Sequence, residues 1–328
     1  MGRAFLCALL LGLSAWGQDA GTPEPGIAHG RLLTAELLGG KPEALWAKAG
    51  PRFRRQFGSA EGLAGFARKV KADFGAELRV SAEKVQQRGA LTLYTRLSVF
   101  SLSARGVELQ WTWDAAQQLV FASARPAATE APSPHEGKTP KTQLRLPFEG
   151  AWNVLWGGRT WDDNRHASVA DQRYALDLLI WNADGTSEGD GSRNDQYFCW
   201  GKSVLAPAAG KIVLVEDGVP DNAPGQVNPP KLYGNHLVID HGNSEFSLLA
   251  HLQRGSIVVK PGQRVAAGAV LGKTGNSGVS TEPHLHYQLM DSAHWLKAHG
   301  LPAVFVGFTA DGKPVPRGEP KRGQQLSP

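Results

Sequence analysis

The chain has 328 residues, of which 41% are hydrophobic and 20% are charged, and it is long enough for two globular domains. The 39 glycines and 21 prolines indicate many turns and therefore a β-rich protein. A formal net charge of +5 comes without a basic run or zinc-finger spacing, so we expect no nucleic-acid partner.

The first residues have the pattern of an export signal. Arg3 supplies a positive charge, and residues 4–13 form an apolar run that is too short to span a bilayer. Small residues follow at the positions that precede a cleavage site. We predict a signal peptide at residues 1–17, no later membrane span, and an exported protein in the periplasm or outside the cell. Cys199 would then be the single cysteine, which excludes an internal disulfide.

Residues 18–125 have the pattern of a small α+β domain. Between residues 28 and 75, apolar side chains recur at three- and four-residue spacing, with a helix start at Ser59 and a stop at Gly75. Residues 77–123 then alternate like antiparallel strands. This order predicts helices on one face of a sheet, and it loosely resembles the nuclear-transport-factor-2-like class.

The rest of the chain divides into three segments. Residues 126–143 are proline-rich and without periodicity, which predicts an extended linker. From residue 144 to residue 310, short strands separated by turns predict a mostly antiparallel all-β domain. We expect residues 311–328 to form a C-terminal tail.

Two histidines with one residue between them stand in the last part of the all-β domain. In Pro283-His284-Leu285-His286 an extended backbone sends His284 and His286 to the same face, with Gln288 next along it. Neutral imidazole is a common metal ligand, and a neighbouring imidazole can move protons. Such a pair can also merely pack in a sheet, so it requires support from other segments.

A carboxylate and a further histidine occur in other predicted strands. Asp177 lies within the apolar strand at residues 174–180, where a lone charge is costly unless a cation, a metal or several donors accompany it. His251 lies in the strand that follows the turn at residues 240–243. These positions indicate a polar site inside the sheet.

The order of these segments resembles the M23 (LytM/lysostaphin-like) zinc metallopeptidases over residues 204–289, about a quarter of the chain. The resemblance also includes the strand aspartate upstream. The matching segments are Leu176-Asp177-Leu178, Asp240-His241-Gly242-Asn243, Ala250-His251-Leu252, Pro261-Gly262-Gln263, Gly272-Lys273-Thr274-Gly275 and Pro283-His284-Leu285-His286. The resemblance implies an M23-like peptidase domain at residues 144–310.

The resemblance also implies roles for single residues. In that family the second histidine of the pair and the strand aspartate bind zinc, which implies that His286 and Asp177 are ligands of Zn²⁺. The first histidine of the pair and the Ala-His-Leu histidine act on water and the developing oxyanion, which implies that His284 and His251 are catalytic. A catalytic zinc with three protein ligands and one water is consistent with such a set.

The third family ligand is a histidine four residues before the aspartate, and Arg173 stands at that position. Arginine remains cationic and cannot bind a metal. His166, eleven residues before Asp177, is a candidate replacement that a loop could bring to the site. Alternatively, His166 is an ordinary loop residue and Arg173 pairs with Asp177 in place of the metal.

Two functions follow from these alternatives. The first is an exported zinc-dependent endopeptidase that hydrolyses peptide bonds of bacterial peptidoglycan with a metal-activated water. The second is a catalytically degenerate M23-like module that binds cell wall or activates an amidase. Arg173 favours the second function, whereas retention of the four polar residues implied by the resemblance favours the first.

Overall fold

The computed structural model describes residues 24–227 and 231–328. The predicted signal peptide, residues 1–17, lies outside the described residues. The described chain begins with a small helical region and a four-stranded sheet, and antiparallel β-sheets follow. Among the described residues, no helix has both the length and the apolar character that crossing a membrane requires.

In the part of the N-terminal domain that the structure describes, four helices come first. They are α1 (Pro25–Leu38), α2 (Pro42–Ala47), α3 (Pro51–Phe57) and α4 (Ala60–Phe74). Ser59 caps α4, because its side chain accepts a hydrogen bond from the backbone N–H of Gly62 at 3.1 Å. Gly75 ends the helix with a φ of 79°, a conformation that glycine adopts without strain. The predicted start and stop of this helix are therefore confirmed.

Four strands follow and pair in chain order as an antiparallel meander. They are β1 (Glu77–Arg88), β2 (Leu91–Phe100), β3 (Val107–Asp114) and β4 (Leu119–Pro126). Leu33, Phe53 and Leu63 of the helices pack with Tyr94 and Trp111 of the strands in one buried cluster. The α+β arrangement is as predicted, and the likeness to the nuclear-transport-factor-2-like class stays a prediction.

The second part of the chain forms an eleven-stranded sheet whose pairings are antiparallel, with a two-stranded ribbon beside it. The strands are β5 (Trp152–Trp156), β6 (Leu176–Leu179), β7 (Ser203–Leu205), β8 (Gly210–Glu216), β9 (Asn235–Asp240), β10 (Phe246–Leu252), β11 (Arg264–Val265), β12 (Val270–Lys273), β13 (Leu285–Met290), β14 (Gly300–Leu301), β15 (Phe305–Ala310), β16 (Lys313–Gly318) and β17 (Gln325–Ser327). The sheet order is β11-β8-β9-β10-β13-β6-β5-β17-β15-β16, with β14 beside β13, and the ribbon is β12-β7. This order places β10, β13 and β6 next to one another at the centre.

The prediction that residues 311–328 form a C-terminal tail is wrong. Residues 313–318 and 325–327 are strands β16 and β17, and β17 pairs with both β5 and β15. Leu326 is fully buried in the core of the large sheet. The two strands are short and carry few apolar residues, which is why their alternation was too weak to distinguish from an irregular tail.

The proline-rich segment at residues 126–143 packs against both domains. Ala131 is buried, and its N–H donates to the carbonyl oxygen of Ala167 at 2.6 Å. His135 Nε2 lies 2.7 Å from a carboxylate oxygen of Asp291. On the side of the N-terminal domain, the N–H of Ala127 donates to the carbonyl oxygen of Gly106 at 2.7 Å. The segment expected to be an extended tether is therefore anchored at several points, and residues 128–130 and 136–139 between them are exposed.

The N-terminal domain contacts the larger domain near the loop that precedes β6. The N–H of Gly106 donates to Ser168 Oγ at 2.9 Å, and both residues are buried. Val99 of β2 packs in one cluster with Val169 and Met290. The loop between β2 and β3 consequently lies beside the residues that surround Asp177.

Candidate metal centre and active site

Strand pairing brings Asp177 and His286 together. His286 of β13 lies directly opposite Asp177 of β6, and Ala250 of β10 lies opposite His286 on the other side. Directly opposed residues of an antiparallel pair point to the same face with their Cβ atoms about 5 Å apart. Accordingly, His286 Nδ1 lies 2.9 Å from Asp177 Oδ1, and both side chains are buried.

His166 reaches the same carboxylate from the loop between β5 and β6. It lies on a short 3₁₀ helix, Arg165–Ser168, and its Nε2 is 2.8 Å from Asp177 Oδ2. Asn164 fixes this loop: its side chain accepts from the His166 N–H at 3.0 Å and donates to the carbonyl oxygen of Ala175 at 3.0 Å. The loop is thereby tied to the residue just before β6, which places His166 over Asp177.

Arg173 points away from this carboxylate. Its guanidinium donates to the carbonyl oxygens of Ala131, at 3.0 Å, and of Arg159. It also lies over the ring of Tyr174, with 5.1 Å between the guanidinium carbon and the ring centroid. The alternative in which Arg173 pairs with Asp177 is therefore wrong for this structure.

His251 and His284 form a second pair beside the first. Their ring centroids are 4.7 Å apart, and His284 Nε2 lies 3.6 Å from Asp177 Oδ1. His284 Nδ1 is 2.9 Å from the carbonyl oxygen of Glu282, and His251 Nδ1 is 2.8 Å from that of Ser277. A carbonyl oxygen only accepts, so each Nδ1 carries a proton, and Nε2 is the nitrogen of each ring that can carry a lone pair.

A distortion of β10 directs His251 into the site. Its φ is +59°, in the left-handed region that a histidine adopts at a cost, and the pairing of β10 with β9 shifts register between Leu249 and Leu252. The backbone is held there because the His251 N–H donates to the Tyr233 carbonyl oxygen and the His251 carbonyl accepts from Gly275. Such an irregularity re-aims one side chain without ending the strand.

The electrostatics of the site centre on Asp177. Burial raises its pKa, but the charges of His166 and His284 and the hydrogen bonds from His166 and His286 outweigh burial and hold the pKa well below its usual value. Burial lowers the pKa of His166, yet the charge of Asp177 and the hydrogen bond to it prevail and raise that pKa. Burial lowers the pKa of His286 and, with the neighbouring histidines, that of His251.

Residues 196–298 match the description Peptidase family M23. This segment contains His251, His284 and His286, whereas Asp177 and His166 precede it. The chain carries an M23 peptidase domain.

Three curated relatives share this segment. The chain is 47% identical to the peptidoglycan DD-endopeptidase ShyA of Vibrio cholerae over 57 residues, which cover 17% of this chain and 13% of that protein. It is 36% identical to the peptidoglycan DD-endopeptidase ShyC of the same organism over 91 residues, 27% of this chain and 19% of that protein. It is 36% identical to an uncharacterized metalloprotease of Buchnera aphidicola over 89 residues, 27% of this chain and 22% of that protein. The chain thus matches less than a quarter of the length of each of these relatives.

A groove of about 410 Å³ opens onto the histidines of the M23 domain. Trp156 and Arg165 line it, and the guanidinium of Arg165 lies 4.5 Å from the centroid of Trp161. Glu282 and, from the β2–β3 loop, Ala104 and Arg105 also line the groove. The N-terminal domain therefore contributes directly to the groove.

The remaining histidines of the all-β region and the cysteine lie outside this groove. His236 Nδ1 contacts the carbonyl oxygen of Gly234, and His241 contacts Ser247. The buried thiol of Cys199 donates to the carbonyl oxygen of Pro283 at 3.0 Å, and burial raises its pKa to about 12. A thiol with such a pKa is not a nucleophile at neutral pH.

Sequence reasoning missed two residues that shape the site, Asn164 and Asp171, and assigned no role to a third, Gln288. Asn164 holds the loop of His166, and Gln288 and Asp171 lie behind His286. Gln288 was noted as next along the face, and its position two residues after a ligand candidate was the available signal. Nothing in the sequence distinguished Asn164 or Asp171 from ordinary polar loop residues.

Proposed function

We propose that this protein is an exported zinc-dependent endopeptidase that hydrolyses peptide bonds of bacterial peptidoglycan. One observation carries the proposal: ligand atoms of His166, Asp177 and His286 lie within 4.8 Å of one another in a buried site. A second pair, His251 and His284, stands beside them with Nε2 available. The M23 domain supplies the class of enzyme.

The three proposed ligands match the chemistry of a catalytic zinc site. Two imidazole nitrogens and one carboxylate oxygen form a set typical of catalytic zinc, which keeps its remaining position for water or substrate. His166 here takes the place of the usual histidine four residues before the aspartate. The site is buried yet opens to the groove, so a substrate carbonyl can reach it.

The proposed mechanism assigns the protein residues to proton transfer and orientation. A bound zinc ion would lower the pKa of a water molecule to about 7 and polarise a peptide carbonyl. His284 and His251, each with Nδ1–H held by a carbonyl oxygen, present Nε2 toward the groove. We assign to them the acceptance of the proton of the attacking water, its delivery to the leaving amine, and hydrogen bonding to the tetrahedral oxygen when protonated.

The proposed substrate class rests on the relatives and on the groove. Two of the relatives are named peptidoglycan DD-endopeptidases, and the matched segment includes three of the five proposed site residues. Arg105 and Arg165 line the groove together with Glu282, so both the carboxylates and the amines of a peptide find a partner of opposite charge. Peptidoglycan lies outside the cytoplasmic membrane, and the predicted signal at residues 1–17 fits such a location.

The test measures zinc and cleavage on the same purified protein. We expect about one zinc per chain by elemental analysis, and chromatography of digested peptidoglycan should show loss of cross-linked fragments. A chelator should abolish cleavage, and added zinc should restore it. The variant His166→Ala should lose most of the zinc, whereas His294→Ala, the same change at an exposed histidine, should keep it.

Two results would contradict the proposal. A protein that digests peptidoglycan with no dependence on metal would remove zinc from the mechanism. Full zinc occupancy in His166→Ala would show that this histidine is a loop residue and that the third ligand lies elsewhere.

A further inference from the structure

A chain of buried polar groups continues behind His286, on the side away from Asp177. His286 Nε2 lies 3.0 Å from Gln288 Oε1. Gln288 is fully buried in β13, two residues along the same face. Both nitrogens of His286 therefore have an oxygen neighbour, with Asp177 at Nδ1 and Gln288 at Nε2.

The neighbours of Gln288 determine which end of its amide faces the imidazole. Gln288 Nε2 lies 3.3 Å from Asp171 Oδ2, and the hydroxyl of Tyr233 donates to the same oxygen at 2.6 Å. A carboxylate that accepts from both groups holds the amide nitrogen on its own side. Gln288 Oε1 is thereby turned toward His286, where it can only accept.

An arginine of the N-terminal domain lies at the far end of this series of polar groups. Arg79 of β1 lies 4.0 Å from Asp171 Oδ1, and its guanidinium is anchored by the carbonyl oxygens of Ala298 and Trp295. Asp171 is fully buried, and among the described residues its Oδ1 has no hydrogen-bond partner. The nearby guanidinium compensates a carboxylate that would otherwise be an isolated buried charge.

We propose that Gln288 and Asp171 are positioning residues that fix His286 with its proton on Nε2 and its lone pair on Nδ1. Gln288 Oε1 accepts the Nε2 proton, and Asp171, held by Tyr233 and Arg79, keeps the Gln288 amide in the required orientation. The inference rests on the proposed metal site, because the lone pair of Nδ1 is then directed at the ion shared with Asp177. Partners of this kind preset both the protonated nitrogen and the ring orientation of a metal-binding histidine.

The burial of these groups argues for a role beyond packing. Asp171, Gln288 and His286 are each at most 1% exposed. Apolar side chains would fill the same space without the cost of removing polar groups from water. Buried polar groups are costly unless every member has its partner. The ring of His286 donates to Gln288, and the Gln288 amide donates to the carboxylate of Asp171, so the donation runs in one direction along the series. We call this series of hydrogen bonds the relay.

The central test replaces Gln288 with methionine, which has a similar length and no strong acceptor. We expect the Kd for zinc, measured by competition with a chelator, to weaken about 10- to 100-fold in Gln288→Met. The matched control is Leu289→Ala, because Leu289 is buried in the same strand but points into the hydrophobic core. This control should lower the melting temperature of the metal-free protein and leave the zinc Kd unchanged.

Two further measurements keep the test decisive if Gln288→Met fails to fold. Tyr233→Phe removes only the hydroxyl, which donates to Asp171 and lies 3.1 Å from Gln288 Oε1. We expect zinc binding to weaken a few-fold, less than the roughly 10- to 100-fold effect of losing a direct partner of a ligand. NMR of the zinc-loaded protein labelled with ¹⁵N-histidine should show the Nε2 proton of His286 in a hydrogen bond. Gln288→Glu retains an acceptor oxygen and should keep this signal.

The outcomes separate the relay from the proposed function. If the wild-type protein binds zinc and both Gln288→Met and Tyr233→Phe bind it equally well, the relay is overturned and the metal site stands. If the wild-type protein binds no zinc, the metal site and the relay are overturned together.

Discussion

The N-terminal domain and the larger domain each hold an acidic side chain that is surrounded by nitrogen groups; Glu83 is partly buried and Asp177 is buried. Glu83 of β1 accepts hydrogen bonds from Arg31 at 2.6 Å, from Arg96 at 3.1 Å and from the hydroxyl of Tyr94. Asp177 of β6 is instead surrounded by the three imidazoles of His166, His284 and His286. The first acid thus has permanent cations, and the second has groups that are cationic only when protonated.

This difference separates a structural cluster from a site that can take a metal. Guanidinium groups remain charged at all accessible pH values, so Glu83 is neutralised within the fold. Imidazole nitrogens can bind either a proton or a metal ion, so the groups around Asp177 can exchange one for the other. A buried carboxylate among such nitrogen donors is therefore the more informative of the two arrangements.

The largest expected effect comes from removing a proposed ligand. We expect His286→Ala to reduce the zinc content from about one per chain to a small fraction and to abolish peptidoglycan cleavage, because two ligands hold zinc poorly. Elemental analysis and the cleavage assay check this prediction. Full zinc content in this variant would show that His286 is not a ligand of the metal.

Removing a proposed proton-transfer group should separate cleavage from metal binding. His251→Ala should lower kcat/KM by about 10²- to 10⁴-fold and retain the zinc, because His251 contacts Ser277 and lies beside the proposed ligands without being one of them. Zinc content and steady-state kinetics on a peptide substrate provide the two readouts. Parallel loss of zinc and activity would instead make His251 part of the metal centre.

A change at the other acid should affect stability alone. Glu83→Gln should lower the free energy of unfolding by about 2 kcal/mol, because it weakens hydrogen bonds to two guanidinium groups. The zinc Kd should not change. Chemical denaturation and chelator competition measure the two quantities, and a weaker Kd would mean that the N-terminal cluster is coupled to the site.

The same variant should change the pH dependence of stability. Burial raises the pKa of Glu83, but the hydrogen bonds from Arg31 and Tyr94 and the charge of Arg96 lower it below its ordinary value of 4.5. A lowered folded-state pKa contributes stability that is present above about pH 4.5 and is lost as the pH falls through the folded pKa. The difference between wild type and Glu83→Gln should shrink below that pH in denaturation experiments.

The smallest expected effect concerns the residue that links the two domains. Arg79→Gln should weaken the zinc Kd only a few-fold, because Arg79 lies 4.0 Å from Asp171 and acts on His286 through two intervening groups. Competition with a chelator at low and moderate ionic strength checks this effect. An unchanged Kd would show that the relay ends at Asp171 and does not include the N-terminal domain.

Much of the fold could be predicted from local patterns. Alternation and helical spacing predicted the helices and the meander of the N-terminal domain, and the spacing of His284 and His286 predicted two side chains on one face. Strands β16 and β17 were missed because their few apolar residues alternate over too short a stretch. The contacts of residues 126–143 were missed because they are made with segments distant in the sequence.

The site was predicted in part, for a physical reason. The two-residue alternation of a strand predicts which face His286 occupies. The positive φ of His251 depends instead on backbone hydrogen bonds to Tyr233 and Gly275, which no local sequence pattern encodes. The approach of His166 to Asp177 depends on Asn164, which ties two points of a loop together. Cross-strand neighbours follow from register, whereas loop positions follow from hydrogen bonds that form only in the complete fold.

The hydrogen bond between Cys199 and Pro283 makes the thiol a reporter on the segment that leads to His284. In the folded protein the thiol is buried, and burial raises its pKa, so an alkylating reagent does not modify it. Labelling then requires a local opening of the chain around Pro283, and its rate measures how often that opening occurs. A ligand that rigidifies β13 and the segment before it should slow the modification of Cys199, and the slower rate would report binding without a substrate.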